Sequence, residues 1–244
     1  MTHDELKAEL QAARREGRPA NLEVADLPED LGEAYALAFS LLPPEDVAAW
    51  KIGGANPWSQ AAFGNTVPFF GALSRRELLL GSTPVDLTGL VSPLAEPEIM
   101  LELAGLPDEE GNAEFSRMGI GIEIPASVLP GAARRTLAGQ IVDRAGAGLI
   151  WVGDVRSFDA SLLDNITLCY GKSGGELSEG GSRNVIGGPG GATRAFLKLA
   201  RSLGAPLAAG QWIATAGLVS AVPVSSGERV TIRMGDKTID ISFI

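Results

Sequence analysis

The sequence predicts an α+β protein, with a helical N-terminal portion packed on a mixed, mostly β body. Helical hydrophobic spacing dominates about the first 45 residues, and short apolar runs cut by Gly and Pro follow from Lys51 onward. The C-terminal end alternates apolar and polar residues as a hairpin does. At 244 residues with 31 glycines and 15 prolines, the chain is long enough to close a core and rich in turns.

The elements follow in order. Thr2 with Glu5 three residues later is a capping-box pattern, and Leu6, Leu10 and Ala13 keep helical spacing up to Gly17. "DLGEAYALAFSLL" is a second helical run, stopped by Pro43 and Pro44. Residues 1–50 thus read as a helical portion and 51–244 as a β body, integrated into one domain because no linker separates them. Within the body, "GAARRTLAGQIVDRAG" (131–146) reads as one helix. Residues 191–203 read as another, with Ala192, Ala195, Phe196, Leu199 and Leu203 as its apolar stripe and Gly204 and Pro206 ending it. In the tail, Val230, Ile232 and Met234 face one way, "GDK" turns, and Ile239, Ile241 and Phe243 return on the same face.

Composition excludes several functions. A formal net charge of −10 repels phosphate backbones and anionic lipid, so neither nucleic acid nor membrane is expected as a partner. No run reaches the roughly 18 apolar residues of a span, and the charged "MTHDELKAEL" is no signal peptide, so the expected location is cytoplasmic. The single histidine, His3, lies in a segment expected to fray and cannot anchor a Ser-His-Asp or Cys-His site. With one cysteine, Cys169, there is no internal disulfide and no thiolate zinc site, and Cys169 reads as a small buried hydrophobe. "YGKSGG" lacks the glycine a phosphate loop needs at position 166, which is Ile166, and "GGPGGAT" lacks the lysine.

The chemistry then rests on carboxylates. If "AEPEIMLEL" (95–103) is a strand, Glu96, Glu98 and Glu102 share one face and Pro97, Ile99, Leu101 and Leu103 the other. In "MGIGIEIPASV", Glu123 opposes Ile120, Ile122 and Ile124. Three carboxylates from two strands could hold Mg²⁺ or Mn²⁺. The same alternation also fits strands whose glutamates simply face water. Lys51 is equally open between a solvated surface group and a site residue, though the glycines after it would let backbone approach a ligand. Glu102 reads as solvated, and Trp151 and Trp212 as core.

Taken together, "WKIGGANP", "VPFFGAL", "AEPEIMLEL", "GIEIPAS", "LLDNITLCYG" and "IGGPGGATRAFLKLARSLGAPLAAGQWIATAGLVSAVPVSSGERV" resemble the 2-keto-4-pentenoate hydratase and 4-oxalocrotonate decarboxylase family of the fumarylacetoacetate hydrolase superfamily. The resemblance implies a mixed β-sheet body of that superfamily's C-terminal type, a divalent metal (Mg²⁺ or Mn²⁺), and a 2-oxo acid or dienol substrate from aromatic compound catabolism. It makes Glu96, Glu98 and Glu123 the metal ligands, Lys51 a catalytic and substrate-binding group, and Thr215 a substrate contact, with Asp164 and Asn165 matching an Asp-Asn pair. The implied activity is a hydro-lyase adding water to a 2-hydroxy-2,4-dienoate. The same site would also serve a 2-oxo acid decarboxylase or a C–C bond hydrolase, and a catalytically silent scaffold or partner subunit is the reading from another class. A homo-oligomer is expected, and some relatives pair with an enzyme of the same pathway. The chain departs from the pattern where Phe69 replaces an Asp, Val128 an Arg, Gly188 a His, and Ala216 the glycine of a Thr-Gly step.

Overall fold

The computed structural model describes residues 1–81 and 84–244. Helix α1 (His3–Glu16) starts at the Thr2–Glu5 capping box, ends at Gly17 in the left-handed region, and buries Leu6, Leu10 and Ala13. Helix α2 (Leu31–Ser40) is capped by Asp30 and buries Ala34, Tyr35, Leu37 and Ala38. Strand β1 (Val47–Gly53) leads through α3 (Pro57–Phe63) to β2 (Phe69–Ser74) and the short β3 (Leu78–Leu80). Then come β4 (Leu94–Leu103), β5 (Phe115–Ile124), α4 (Gly131–Arg134), α5 (Leu137–Val142), β6 (Leu149–Ser157), β7 (Thr167–Lys172) and β8 (Ser178–Gly181). Helix α6 (Gly188–Ser202) precedes β9 (Trp212–Ala214), β10 (Val222–Pro223) and the hairpin β11 (Arg229–Met234) and β12 (Lys237–Ser242).

Among the described residues the strands form a curled mixed sheet in the order β2-β1-β9-β4-β5-β6-β3, with β10 on β4, and a second sheet in the order β12-β11-β7-β8. Strands β4 and β5 are central, and with both faces covered they are almost wholly buried from Ala95 and Met118 onward. The helical portion shares one core with the sheet. Tyr35 of α2 stacks on Phe70 of β2 at 4.8 Å between ring centroids, and Phe70 meets Phe196 of α6 edge-on at 5.0 Å.

Three expectations are corrected in detail. The helix over 131–146 is broken: Thr136 leaves helical geometry to cap α5, and Arg144 and Ala145 take positive φ. The buried face of α6 is rotated, centred on Ala192, Thr193, Phe196, Leu197 and Ala200, with Ala195, Leu199 and Leu203 only half-buried. Thr193 fits that face because its hydroxyl donates to the Pro189 carbonyl (2.8 Å). The tail hairpin forms as read, Val230 opposite Ile241 and Ile232 opposite Ile239, but the connection is the two residues Gly235 and Asp236.

Candidate metal centre

Strands β4 and β5 run antiparallel with Glu96 directly opposite Glu123 and Glu98 opposite Gly121. The period of two brings all three carboxylates to one face, where an oxygen from each lies within 4.8 Å of the others. The water-facing reading of this alternation is therefore overturned: Glu98 is 0% and Glu123 1% exposed, while Glu96 keeps partial exposure at a cavity floor. Glu102, further along β4, is also not solvated; it is buried against the guanidinium of Arg117 and the hydroxyl of Ser116.

The cluster is held from two sides. The Ala216 N–H donates to Glu98 Oε2 (2.7 Å), and Ala216 does so at φ +93°, a backbone region unusual for alanine. At Gly217 the backbone passes so close that a Cβ there would sit 2.3 Å from Glu96 Oε2. Lys51, 5% exposed on β1, donates to the Ala145 carbonyl (2.9 Å) and forms an ion pair with Glu123 Oε1 (2.9 Å). Among the carboxylates of the described residues, only Glu123 lies within ion-pair distance of this ammonium, so Lys51 flanks the cluster instead of filling it.

The electrostatics are those of an unneutralised acidic site. Burial, then Glu123 and Glu96, push the Glu98 carboxyl well above the usual glutamate range. Burial and Glu123 push Glu96 up to about 8, with Lys51 partly offsetting them. For Lys51, burial works to lower the pKa, but Glu123, Glu96 and Glu98 outweigh it and raise it. Glu98 Oε1 and both Glu123 oxygens are buried without a hydrogen-bond partner, the Lys51 contact being an ion pair off hydrogen-bond direction. With all three carboxylates ionised, one ammonium leaves two negative charges uncompensated, and the buried oxygens are unsatisfied at one point. That donor set fits a hard dication such as Mg²⁺ or Mn²⁺.

A cavity of about 620 Å³ opens over Lys51 and Glu96. Trp58, Phe63, Phe69 and Leu94 give it apolar walls, and Arg134 and Arg135 stand at its exposed side. Neither arginine side chain has an ion-pair partner among the described residues. The Phe69 ring lies where a Cβ of Gly53 would come within 2.3 Å, so the space beside the glycines after Lys51 is filled by an aromatic ring.

The structure thus brings Lys51, Glu96, Glu98 and Glu123 together. Thr215 is adjacent but wholly buried, its N–H and hydroxyl both on the Ile99 carbonyl (3.1 and 3.0 Å), and it does not line the cavity. Asp164 and Asn165 sit in an exposed loop before β7, away from that cavity, with Asn165 donating to the Ser161 carbonyl (3.3 Å). Trp151 and Trp212 are core, as read. Cys169 is half-buried, not buried, because it lies on β7 next to the edge strand β8. Sequence reasoning missed the Ala216 N–H and the Ala145 carbonyl, since backbone groups leave no residue signature. It also missed Arg134 and Arg135, which lie in the segment 131–146 read only as a helix.

No family model matches the chain. Solved structures do. The 4-oxalocrotonate decarboxylase from Pseudomonas putida G7, in complexes with calcium and acetate and with magnesium and adipate, superposes with a TM-score of 0.85 at 21% identity, covering 100% of this chain and 99% of that one. Fumarylpyruvate hydrolase from Pseudomonas aeruginosa, in complex with Mn²⁺ and pyruvate, gives 0.56 at 12% identity over 80% of this chain and 88% of its own. The 2-hydroxyhepta-2,4-diene-1,7-dioate isomerase from Mycobacterium marinum gives 0.55 at 15% identity, over 81% and 75%. The chain therefore has the α+β fold of the fumarylacetoacetate hydrolase type, matched end to end by the decarboxylase.

Proposed function

We propose that this chain is a divalent-metal-dependent lyase of the 2-keto-4-pentenoate hydratase and 4-oxalocrotonate decarboxylase family, and that it removes CO₂ from an unsaturated 2-oxo acid bearing a second carboxylate. The observation that carries this choice is the cavity lining. Among the described residues, its ionisable groups are Lys51, Glu96, Arg134 and Arg135, so beyond the metal cluster there is no carboxylate or imidazole to activate water. Hydration needs such a base. Loss of CO₂ does not: when the leaving carboxylate sits on the saturated carbon beyond the double bond that is conjugated to the 2-oxo group, the electrons of the breaking C–C bond pass through that double bond to the oxo oxygen, and one proton taken up there gives a dienol.

Glu96, Glu98 and Glu123 would hold the dication, which supplies charge neutralisation and polarises the 2-oxo group. Lys51 donates one N–H to the Ala145 carbonyl and its charge is paired with Glu123, which leaves a donor for the oxygen on which charge collects. Arg134 and Arg135 draw the second carboxylate to the cavity mouth. The Trp58, Phe63 and Phe69 walls lie between the metal cluster and that mouth, so the carbon chain that takes up the electrons rests against apolar side chains.

The test is to supply Mg²⁺ and 4-oxalocrotonate and to follow CO₂ together with dienol absorbance. The reading expects metal-dependent CO₂ release with the dienol accumulating. Consumption of 2-hydroxypenta-2,4-dienoate without CO₂ release would replace it with the hydratase, and no metal-dependent change with either compound would end the lyase reading.

A further inference from the structure

The turn at Arg144 and Ala145 joins α5 to the approach of β6, and both residues have positive φ (+53° and +57°). Two consecutive non-glycine residues in that region need support from outside the turn. It comes from two ion pairs, each with one buried and one partly buried partner. The Arg144 guanidinium grips both Glu77 oxygens (2.9 and 2.8 Å) and donates to the Ala72 carbonyl of β2 (3.0 Å). On the other side Asp143, 0% exposed, accepts from Arg14 of α1 (2.5 Å), the Ser127 hydroxyl (2.6 Å) and the Val128 N–H (3.2 Å). Arg14 also donates to the Asp143 and Ala147 carbonyls (2.7 and 2.6 Å), bracketing the turn.

What the turn delivers is the Ala145 carbonyl, which receives the Lys51 ammonium. What admits the turn is Gly71. It pairs with Lys51 across the β1–β2 ladder, and a Cβ on it would lie 1.7 Å from the Arg144 carbonyl oxygen. The residue opposite the lysine is therefore one whose missing side chain leaves room for the lysine's acceptor.

We infer that Gly71, Arg144 and Glu77 are positioning residues that hold the Ala145 carbonyl against Lys51 and so aim its remaining N–H into the cavity. Its functional consequence rests on the proposed role of Lys51, but its geometry does not. A network serving stability alone would leave Lys51 in place when cut.

The test compares Gly71→Ala, Arg144→Met, Arg144→Lys and Glu77→Gln with the wild-type chain. Crystal structures read the contact between Lys51 Nζ and the Ala145 oxygen, and calorimetry reads the affinity for Mg²⁺ alone and for oxalate with Mg²⁺ present. In Gly71→Ala and Arg144→Met the contact is expected to open beyond hydrogen-bond range. Oxalate affinity should fall about tenfold or more while Mg²⁺ affinity changes far less, and turnover should fall on the order of a hundredfold. Arg144→Lys restores part of each effect, and Glu77→Gln, which keeps the shape, shows a smaller shift in the same direction should the harsher variants fail to fold. A Lys51–Ala145 contact that persists in every folded variant overturns the inference. If the wild-type chain binds no Mg²⁺, the proposed function falls, and the crystallographic contact still decides this inference.

Discussion

Glu96 and Glu123 are direct partners across the β4–β5 ladder, two acidic side chains at the closest cross-strand position in a buried site. Like charges in that arrangement destabilise the fold unless a cation or a proton intervenes. The metal-free chain should therefore carry a pH signature. With Glu96 pushed up from 4.5 to about 8, its favourable contribution is complete below 4.5 and is lost as pH rises through about 8. Glu77 has the opposite sign. Burial would raise its pKa, but Arg144 holds it down at about 2, so its contribution is present above 4.5 and lost as pH falls through about 2. Thermal melts without metal should show a midpoint that declines between pH 4.5 and 8. Mg²⁺ should raise the midpoint most at the alkaline end, and Glu96→Gln should flatten the decline while abolishing the Mg²⁺ effect.

Ala216 holds Glu98 through its N–H while strained at φ +93°. Ala216→Gly keeps the donor and relaxes the backbone, and the greater freedom of glycine in the unfolded chain takes back part of the gain. Denaturant unfolding should show a stabilisation of up to about 1 kcal/mol, with Mg²⁺ affinity unchanged. A loss of stability would mean that the alanine conformation is not strained.

Phe69 stands where the resemblance implies an Asp, and it packs over Gly53 and edge-on against Phe63. In the decarboxylase reading no proton passes through residue 69. Phe69→Leu should cost about 1–1.5 kcal/mol of stability and leave CO₂ release within a few-fold of wild type. A fall of about a hundredfold or more would show that the ring takes part in the chemistry.

Arg134 and Arg135 line the cavity without ion-pair partners among the described residues. The double change Arg134→Gln with Arg135→Gln should raise KM for a dicarboxylic 2-oxo acid about tenfold and leave pyruvate binding, read by calorimetry with Mg²⁺, nearly untouched. Equal losses for both ligands would contradict a role at the far carboxylate.

The features legible in the sequence were those set by local chemistry. The Thr2–Glu5 box and the C-terminal alternation name their own structures, and period two was enough to align Glu96 with Glu98 and to set Glu123 on a matching face. What alternation cannot say is whether the polar face is covered. Here the Ala216–Gly217 backbone, Lys51 and a cavity wall cover it, which turns a solvated pattern into a buried cluster. The 131–146 segment has helical spacing, but Arg144 and Ala145 leave it because Glu77 and Arg14, distant in sequence, bind the turn. The glycines after Lys51 read as room for a ligand beside the backbone, whereas the group close to Gly53 is the Phe69 ring of the neighbouring strand. Thr215 was aligned by resemblance, and its hydroxyl is taken by Ile99.

The most direct measurement is the anomalous diffraction of crystals soaked in Mn²⁺. The account predicts one strong peak within about 2.2 Å of a carboxylate oxygen from each of Glu96, Glu98 and Glu123, with the Lys51 ammonium still on the Ala145 carbonyl. No peak at that point, or a Lys51 ammonium swung in among the three carboxylates in its place, would contradict it.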